Sequence, residues 1–184
     1  MGEFSGIYRT ELSDGQLMRF WSRMRASGRD TATFYNVPRM EERDFAAWAR
    51  SSNVHPWIIL FRGEPCGLFW LTDQEGRTAK CHFATLPQGT KRTAGRLPVA
   101  QGFGLYALGM ALHAKDEEGR YLLDRCYGIT PLYNRAAVRF IHRVGAMDIA
   151  VLPGAVFNQA TGHNADALLT MYTRDTVPAE NATL

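Results

Sequence analysis

Along this chain of 184 residues, segments with the hydrophobic spacing of an α-helix alternate with short apolar segments typical of β-strands. Apolar residues three and four positions apart predict helices at 14–26, 41–51, 98–115 and 134–144. Short apolar runs bounded by turn residues predict strands, and the turns between the three middle ones favour antiparallel hairpins. The predicted strands are 7–11, 54–61, 66–72, 78–86, 147–156 and 167–173. A further short strand, before the last helix, begins at 122 and breaks at Gly128 and Pro131.

Three further features of the pattern fill in the organisation of the chain. Segments 31–39 and 158–164 are predicted loops, and the tail from Val177 is predicted to fray. The helix from Pro98 to Lys115 is apolar nearly all round, which predicts that it is buried. Its three glycines each cost about 1 kcal/mol relative to alanine in a helix. We expect close packing of this helix on a sheet to offset that cost.

The helix near residue 140 has marked ends. Asn134 is a residue type that caps free amides at a helix start, and Gly145 stands where a helix end favours a left-handed residue. Between them the i, i+3, i+4, i+7 rule is obeyed by Ala137, Phe140, Ile141 and Val144. A strand, an asparagine cap, an amphipathic helix and a terminal glycine therefore follow one another.

This unit resembles the C-terminal half of the GNAT superfamily of N-acetyltransferases. Asn134, Ala137 and Gly145 match the pattern of that family, whereas Ile141 occupies a slot that usually holds tyrosine, and Ala146 one that usually holds phenylalanine. The order of elements is also the order of the family. The resemblance implies an α+β fold in one domain, residues 1–184, with a mixed, mainly antiparallel central sheet of six to seven strands flanked by about four helices.

Composition narrows the expected partners. The net charge is +3 and no dense basic run is present, so we expect a solvated mixed surface and no nucleic-acid partner. The helix face that carries Arg135, Arg139 and Arg143 is predicted to be solvated; nucleic-acid binding there is the weaker interpretation. No apolar run approaches the roughly 20 residues that cross a bilayer. Three scattered cysteines indicate reduced thiols, and no spacing predicts a metal site. We expect a cytoplasmic monomer or homodimer.

The resemblance implies that acetyl-CoA binds where the fourth and fifth strands diverge. Phe83, Ala84 and Thr85 of the fourth strand would line the cofactor. The family binds the pyrophosphate on a glycine-containing loop at a helix start, where free amides and the helix dipole attract anions. We prefer the segment Arg92, Thr93, Ala94, Gly95 and Arg96, which follows the strand closely, to the half-match at 101–106. Asn134 has two interpretations, a contact with the CoA arm and a helix cap, and both can hold.

Acyl transfer to an amine requires a base, an oxyanion donor and an acid for the departing thiolate. Ile141 cannot donate a proton, so Tyr133 is the predicted acid, with Tyr127 and Cys126 as rivals. His82 is the predicted base, because it alone on the fourth strand has an ordinary pKa near neutrality. The alternative is that His82 is a half-buried strand residue bonded to a backbone carbonyl.

The acceptor pocket of the resembled fold is built from the loop between the first two helices and the loop between the last two strands, here 31–38 and 158–164. Phe34 and Tyr35 are candidates for contact with the acceptor, a small-molecule or peptide amine; packing in the core is the alternative role. The leading hypothesis is an acetyl-CoA-dependent N-acetyltransferase that acts by direct transfer. The alternative is a non-catalytic module of the same fold that binds CoA or a peptide.

Overall fold

The computed structural model of the chain describes residues 2–87 and 97–184, and within these ranges it contains five α-helices and seven strands. The helices are α1 (Asp14–Ala26), α2 (Arg29–Thr33), α3 (Glu42–Arg50), α4 (Val99–His113) and α5 (Arg135–Arg143). The strands are β1 (Phe4–Tyr8), β2 (His55–Phe61), β3 (Glu64–Glu75), β4 (Thr78–Thr85), β5 (Arg125–Pro131), β6 (Met147–Asn158) and β7 (His163–Thr173). In the described ranges no helix has the length and apolar character needed to cross a bilayer.

The strands form one sheet in the order β1-β2-β3-β4-β5-β7-β6. Every neighbouring pair is antiparallel except β4 and β5, which run parallel. The mixed, mainly antiparallel sheet predicted from the sequence is confirmed. The helix count differs by one, because α2 has five residues and is too short to show a hydrophobic period.

Each face of the sheet supports its own core, because successive side chains of a strand point to opposite faces. On β3, Leu68 and Trp70 pack with α1 and α3, whereas Phe69 and Leu71 pack with α4 and α5. The first core contains one side of α1, whose apolar residues three and four positions apart are all buried: Leu17, Phe20, Trp21 and Met24. Ser13 caps this helix, since its side chain accepts a hydrogen bond from the amide of Gln16.

The glycines of α4 are explained by what lies against them. A Cβ on Gly102 would lie 2.7 Å from the ring of Phe4, and one on Gly109 would lie 2.7 Å from the backbone nitrogen of Ala182. Close packing therefore offsets the helix cost, as predicted. The third glycine, Gly104, faces α5. Only Gly102 therefore packs on the sheet, through Phe4 of β1, whereas Gly109 packs on the C-terminal turn and Gly104 on α5.

The sequence placed three boundaries wrongly. The first strand is Phe4–Tyr8, and it ends where the Glu11 carboxylate accepts a hydrogen bond from the amide of Tyr8 and starts a 3-10 turn. The fifth strand does not break at Gly128, because β7 pairs with it along its whole length, whereas it does end at Pro131 as predicted. The loop predicted at 158–164 is a short turn that contains Gly162 at φ 68°.

The C-terminal tail is also better ordered than predicted. Val177 is fully buried, and residues Ala179–Thr183 form a 3-10 helix against α4. The carbonyl of Leu184 accepts a hydrogen bond of 3.0 Å from the amide of Phe4. These contacts are with residues at the other end of the chain, which local sequence patterns do not reveal.

Candidate active site

The central feature of the site is a gap between β4 and β5. Only three residue pairs join these strands, from Thr78 with Arg125 to Lys80 with Tyr127. Beyond them the strands separate and border a cavity of about 510 Å³. Its walls come from β4 and β5 together with α4 and α5. The unpaired part of β4 leaves backbone groups that an extended ligand can use as a neighbouring strand.

The predicted cofactor residues of the fourth strand and the helix cap lie together at this cavity. It is lined by Phe83, Ala84, Thr85 and Asn134. The Asn134 side-chain oxygen accepts a hydrogen bond of 3.1 Å from the amide of Ala137. The capping role is therefore observed, and the residue also faces the space predicted for the cofactor. The predicted phosphate loop, Arg92, Thr93, Ala94, Gly95 and Arg96, lies outside the described residues.

Three arginines line the same cavity, and the sequence interpretation assigned none of them to the site. Arg139 and Arg143 lie one turn apart on α5, and Arg29 comes from α2. None of the three has an ion-pair partner among the described residues. Arg135 belongs to the same polar stripe of α5 but does not line the cavity. Since guanidinium groups bind phosphate with paired hydrogen bonds, this wall is suited to an anionic ligand.

His82, the predicted base, lies at the cavity in a tight aromatic stack. Its ring is 4.7 Å from that of Trp70 and nearly parallel to it, and its Nε2 lies 2.9 Å from the Thr72 hydroxyl. The hydrogen-bond partner is thus a side chain on β3, not the carbonyl of the alternative interpretation. Burial and the nearby Lys80 ammonium lower the pKa of His82 to about 3. The imidazole is therefore neutral at pH 7 and only weakly basic.

Tyr133, the predicted acid, is not part of the cavity lining. It is 49% exposed, and its ring lies 6.5 Å from the ring of Tyr35, which does line the cavity. Partial burial raises the pKa of Tyr133. Ile141, in the slot that usually holds tyrosine, is buried and belongs to the cavity lining. The assignment of Tyr133 as the acid stays a prediction.

Tyr172 of β7 is a polar residue at the cavity that sequence reasoning did not find. It is fully buried, and its hydroxyl has no hydrogen-bond partner within the ranges that the structure describes. Burial raises its pKa far above the ordinary value. The sequence gives no signal for this tyrosine, because its neighbours Cys81 and Cys126 come from other strands.

A second cavity of about 290 Å³ lies where the two predicted acceptor segments meet. The backbone amide of Gln159 donates a hydrogen bond of 3.0 Å to the carbonyl of Tyr35, which joins the β6–β7 turn to the segment after α2. Phe34 and Tyr35 both line this cavity, and Tyr35 also lines the first one. Burial, together with Tyr133, raises the pKa of Tyr35 to about 12. In the described ranges no cluster of three or more His, Cys, Asp or Glu residues is placed to hold a metal ion.

Solved acetyltransferases share this architecture over nearly the whole chain. Spermidine N-acetyltransferase from Vibrio cholerae in complex with CoA and spermine has a TM-score of 0.67 and 14% identity over 95% of this chain and 98% of its own. A mutant of the same enzyme, SpeG, gives a TM-score of 0.68 with 14% identity over 97% and 98% of the two chains. The protein yncA from Salmonella typhimurium, solved with its cofactor acetyl-CoA, gives 0.61 with 14% identity over 93% and 94%.

The sequence alone finds no such relatives: no family model and no curated protein matches it. The structural likeness establishes the fold, which is that of the GNAT superfamily of N-acetyltransferases. The resemblance stated from Asn134, Ala137 and Gly145 is confirmed at this level.

Proposed function

We propose that the chain is an acetyl-CoA-dependent N-acetyltransferase that moves an acetyl group directly to a primary amine of a small molecule. The observation that carries the proposal is the cavity between β4 and β5. It has an unpaired strand edge on one side and, on another, arginines that form no ion pair with any described residue. The fold supports it, since neighbours with that fold were solved with CoA or acetyl-CoA, one of them together with spermine.

The cavity offers different chemistry along its length. The extended pantetheine arm, which carries amide groups, would pair with the free edge of β4 beside Phe83 and Thr85. The phosphates would bind Arg139 and Arg143 of α5, helped by the predicted loop at 92–96. The start of α4, a helix of 15 residues, adds the positive end of its dipole.

Direct transfer needs the amine nitrogen to attack the thioester carbon, after which the carbon–sulfur bond breaks and the thiolate is released. The proton lost by nitrogen and the proton gained by sulfur must each be moved. His82 remains the predicted base. Its lowered pKa keeps the imidazole neutral at physiological pH, so it can accept a hydrogen bond from the amine or from an intervening water. Tyr133 remains the predicted acid, near the cavity through its contact with Tyr35.

The second candidate is a non-catalytic module that binds CoA or a peptide. Ile141 favours it, because a buried aliphatic side chain stands where the family usually holds a proton donor. The two candidates share the cofactor site and differ only in chemistry, so product formation separates them.

The experiment is a calorimetric titration with CoA, with pantetheine as the phosphate-free ligand. The double variant Arg139→Gln/Arg143→Gln should bind CoA more weakly by about tenfold or more, since charge-assisted hydrogen bonds are lost. Its affinity for pantetheine should not change. Arg135→Gln, on the same helix but outside the cavity lining, is the matched control and should bind CoA as the wild type does.

Absence of CoA binding at millimolar concentration in the wild type would refute both candidates. If CoA binds, the protein is incubated with acetyl-CoA and a panel of primary amines, and release of free thiol and acetylated amine is measured. Binding without product would favour the non-catalytic module.

A further inference from the structure

The smaller cavity contains a carboxylate for which the described part of the chain provides no bonded partner. Asp30 of α2 lines it and is only 7% exposed. Among residues 2–87 and 97–184, no group forms a hydrogen bond or an ion pair with this side chain. Burial of a carboxylate is unfavourable unless an opposite charge or hydrogen bonds compensate for lost hydration. A bound cation would supply that compensation.

The rest of the lining suits an organic cation. Aromatic ring faces attract ammonium groups, and apolar walls accept the carbon chain that bears them. The Trp21 indole nitrogen already donates to the Met40 carbonyl at 3.1 Å, and its ring meets that of Phe34 edge to face at 5.3 Å, so these walls are held in place. The aromatic and apolar lining residues are Trp21, Phe34, Tyr35, Val37, Pro38 and Met40.

Arg25 and Arg39 are close enough to be considered as partners of Asp30, but neither forms an ion pair with it. Arg25 is held by two other carboxylates, Glu41 at 2.6 Å and Glu42 at 3.1 Å. The hydrogen bond that Arg25 donates to Glu41 contributes most to the raised pKa of Arg25, and the charge of Asp30 contributes least. Arg39 also lines the cavity, but it is exposed, so water and salt screen its charge.

We infer that this cavity binds an ammonium group of the acceptor, with Asp30 as the counter-ion, and that this nitrogen is not the one that is acetylated. The inference rests on the proposed function and names its substrate class: amines with a second cationic nitrogen at the end of an apolar chain. Tyr35 lines both cavities, so such a chain can pass along its ring from the carboxylate to the gap between β4 and β5.

The test measures binding first, without acetyl-CoA. Wild-type protein is titrated with 1-aminopentane and with 1-pentanol, which has nearly the same shape and no charge. The amine should bind more tightly by about tenfold or more, as expected for a hydrogen bond to a charged group. Asp30→Asn should abolish that preference, and Asp30→Glu should retain part of it. Asp175→Asn removes the same group from an exposed site outside both cavities and should leave the preference unchanged.

A wild-type protein that binds the amine and the alcohol equally would overturn the inference, as would an Asp30→Asn variant with an unchanged preference. If circular dichroism shows that Asp30→Asn is unfolded, the comparison of amine with alcohol in the wild type decides. CoA is titrated into the same samples, and its affinity should be unaffected by Asp30→Asn. Loss of CoA binding in the wild type would count against the proposed function, whatever the ammonium result.

If the protein acetylates amines, steady-state kinetics provide a second test of the inference. With 1,5-diaminopentane as acceptor, Asp30→Asn should lower kcat/KM by about tenfold or more, whereas the value with 1-aminopentane should change little. An equal loss for both amines would indicate a structural effect of the substitution and would overturn the inference.

Discussion

The same substitution, glycine to alanine, should have opposite effects on stability at two helix positions. Gly104 lies inside α4, where an added Cβ would be 2.6 Å from a methyl carbon of Val144 and 2.8 Å from the ring of Phe140. Ordinary carbon contacts are about 3.5–4.0 Å, so the neighbours must retreat by about 1 Å. Val144 is fully buried, and Phe140 is packed against the ring of Phe83 at 5.3 Å, so neither has free space to enter.

The magnitude follows from two opposing contributions. Alanine gains about 1 kcal/mol over glycine in a helix interior. Overpacking a filled core costs about 1–3 kcal/mol. Gly104→Ala should therefore lower the free energy of unfolding by about 1 kcal/mol, which corresponds to a fall in Tm of about 3 °C for a chain of this size. At Gly15 in α1, the nearest atom to an added Cβ is 3.6 Å away on the Arg19 side chain. Gly15→Ala should therefore stabilise by about 0.5 kcal/mol.

Urea and thermal unfolding of the two variants and the wild type provide the assay, with circular dichroism as the probe. The size of each change matters less than the difference in sign. Stabilisation by Gly104→Ala similar to that by Gly15→Ala would show that α4 and α5 can move apart without cost, and the packing argument would be wrong. Because Phe140 also lines the larger cavity, the Gly104 variant should bind CoA more weakly.

Three further predictions concern the larger cavity. Tyr172→Phe removes a buried hydroxyl that has no partner in the described residues, so stability in urea should stay the same or rise; a loss above about 1 kcal/mol would mean that the hydroxyl is bonded in solution. Asn134→Ala should lower the free energy of unfolding by about 1 kcal/mol, because the helix cap is lost, whereas Asn134→Ser should retain most of the stabilisation by the cap. Thermal unfolding measures both variants, and equal melting temperatures would refute the capping role. The folded-state pKa of His82, about 3, lies below its unfolded value, so its contribution to stability is present above about pH 6.5 and is lost as the pH falls toward 3. His82→Gln should flatten this part of the pH–stability curve, and an unchanged curve would contradict the lowered pKa.

Local signals in the sequence were sufficient for much of the fold. Ser13 and Asn134 mark helix starts through their own side chains, and the structure contains both caps. The glycines of α4 indicated close contacts correctly, although their partners could not be named, because Phe4 and Ala182 are far away in the chain.

The site was less accessible to sequence reasoning, since it depends on which elements become neighbours. Arg135 and Arg139 belong to the same helical stripe, and only the position of β4 decides that Arg139 lines the cavity. Tyr172 and Asp30 are unremarkable in sequence, and their significance comes from their positions. Tyr172 has a buried hydroxyl without a partner in the described residues, and Asp30 is a largely buried carboxylate in the lining of the smaller cavity. Helix α2, which carries Asp30, is itself too short to be predicted from a hydrophobic period.

The three residue pairs between β4 and β5 also have a mechanical consequence. They are the seam between two half-sheets, β1–β4 and β5–β7, and a small rotation about this seam changes the width of the gap without breaking another strand pairing. An occupant that pairs with the free edge of β4 then acts as a wedge that fixes the angle between the halves. Amide hydrogen exchange at residues 81–85 would report whether the gap is filled: the β4 amides that face it should exchange fast when it is empty and slowly when an occupant accepts their hydrogen bonds.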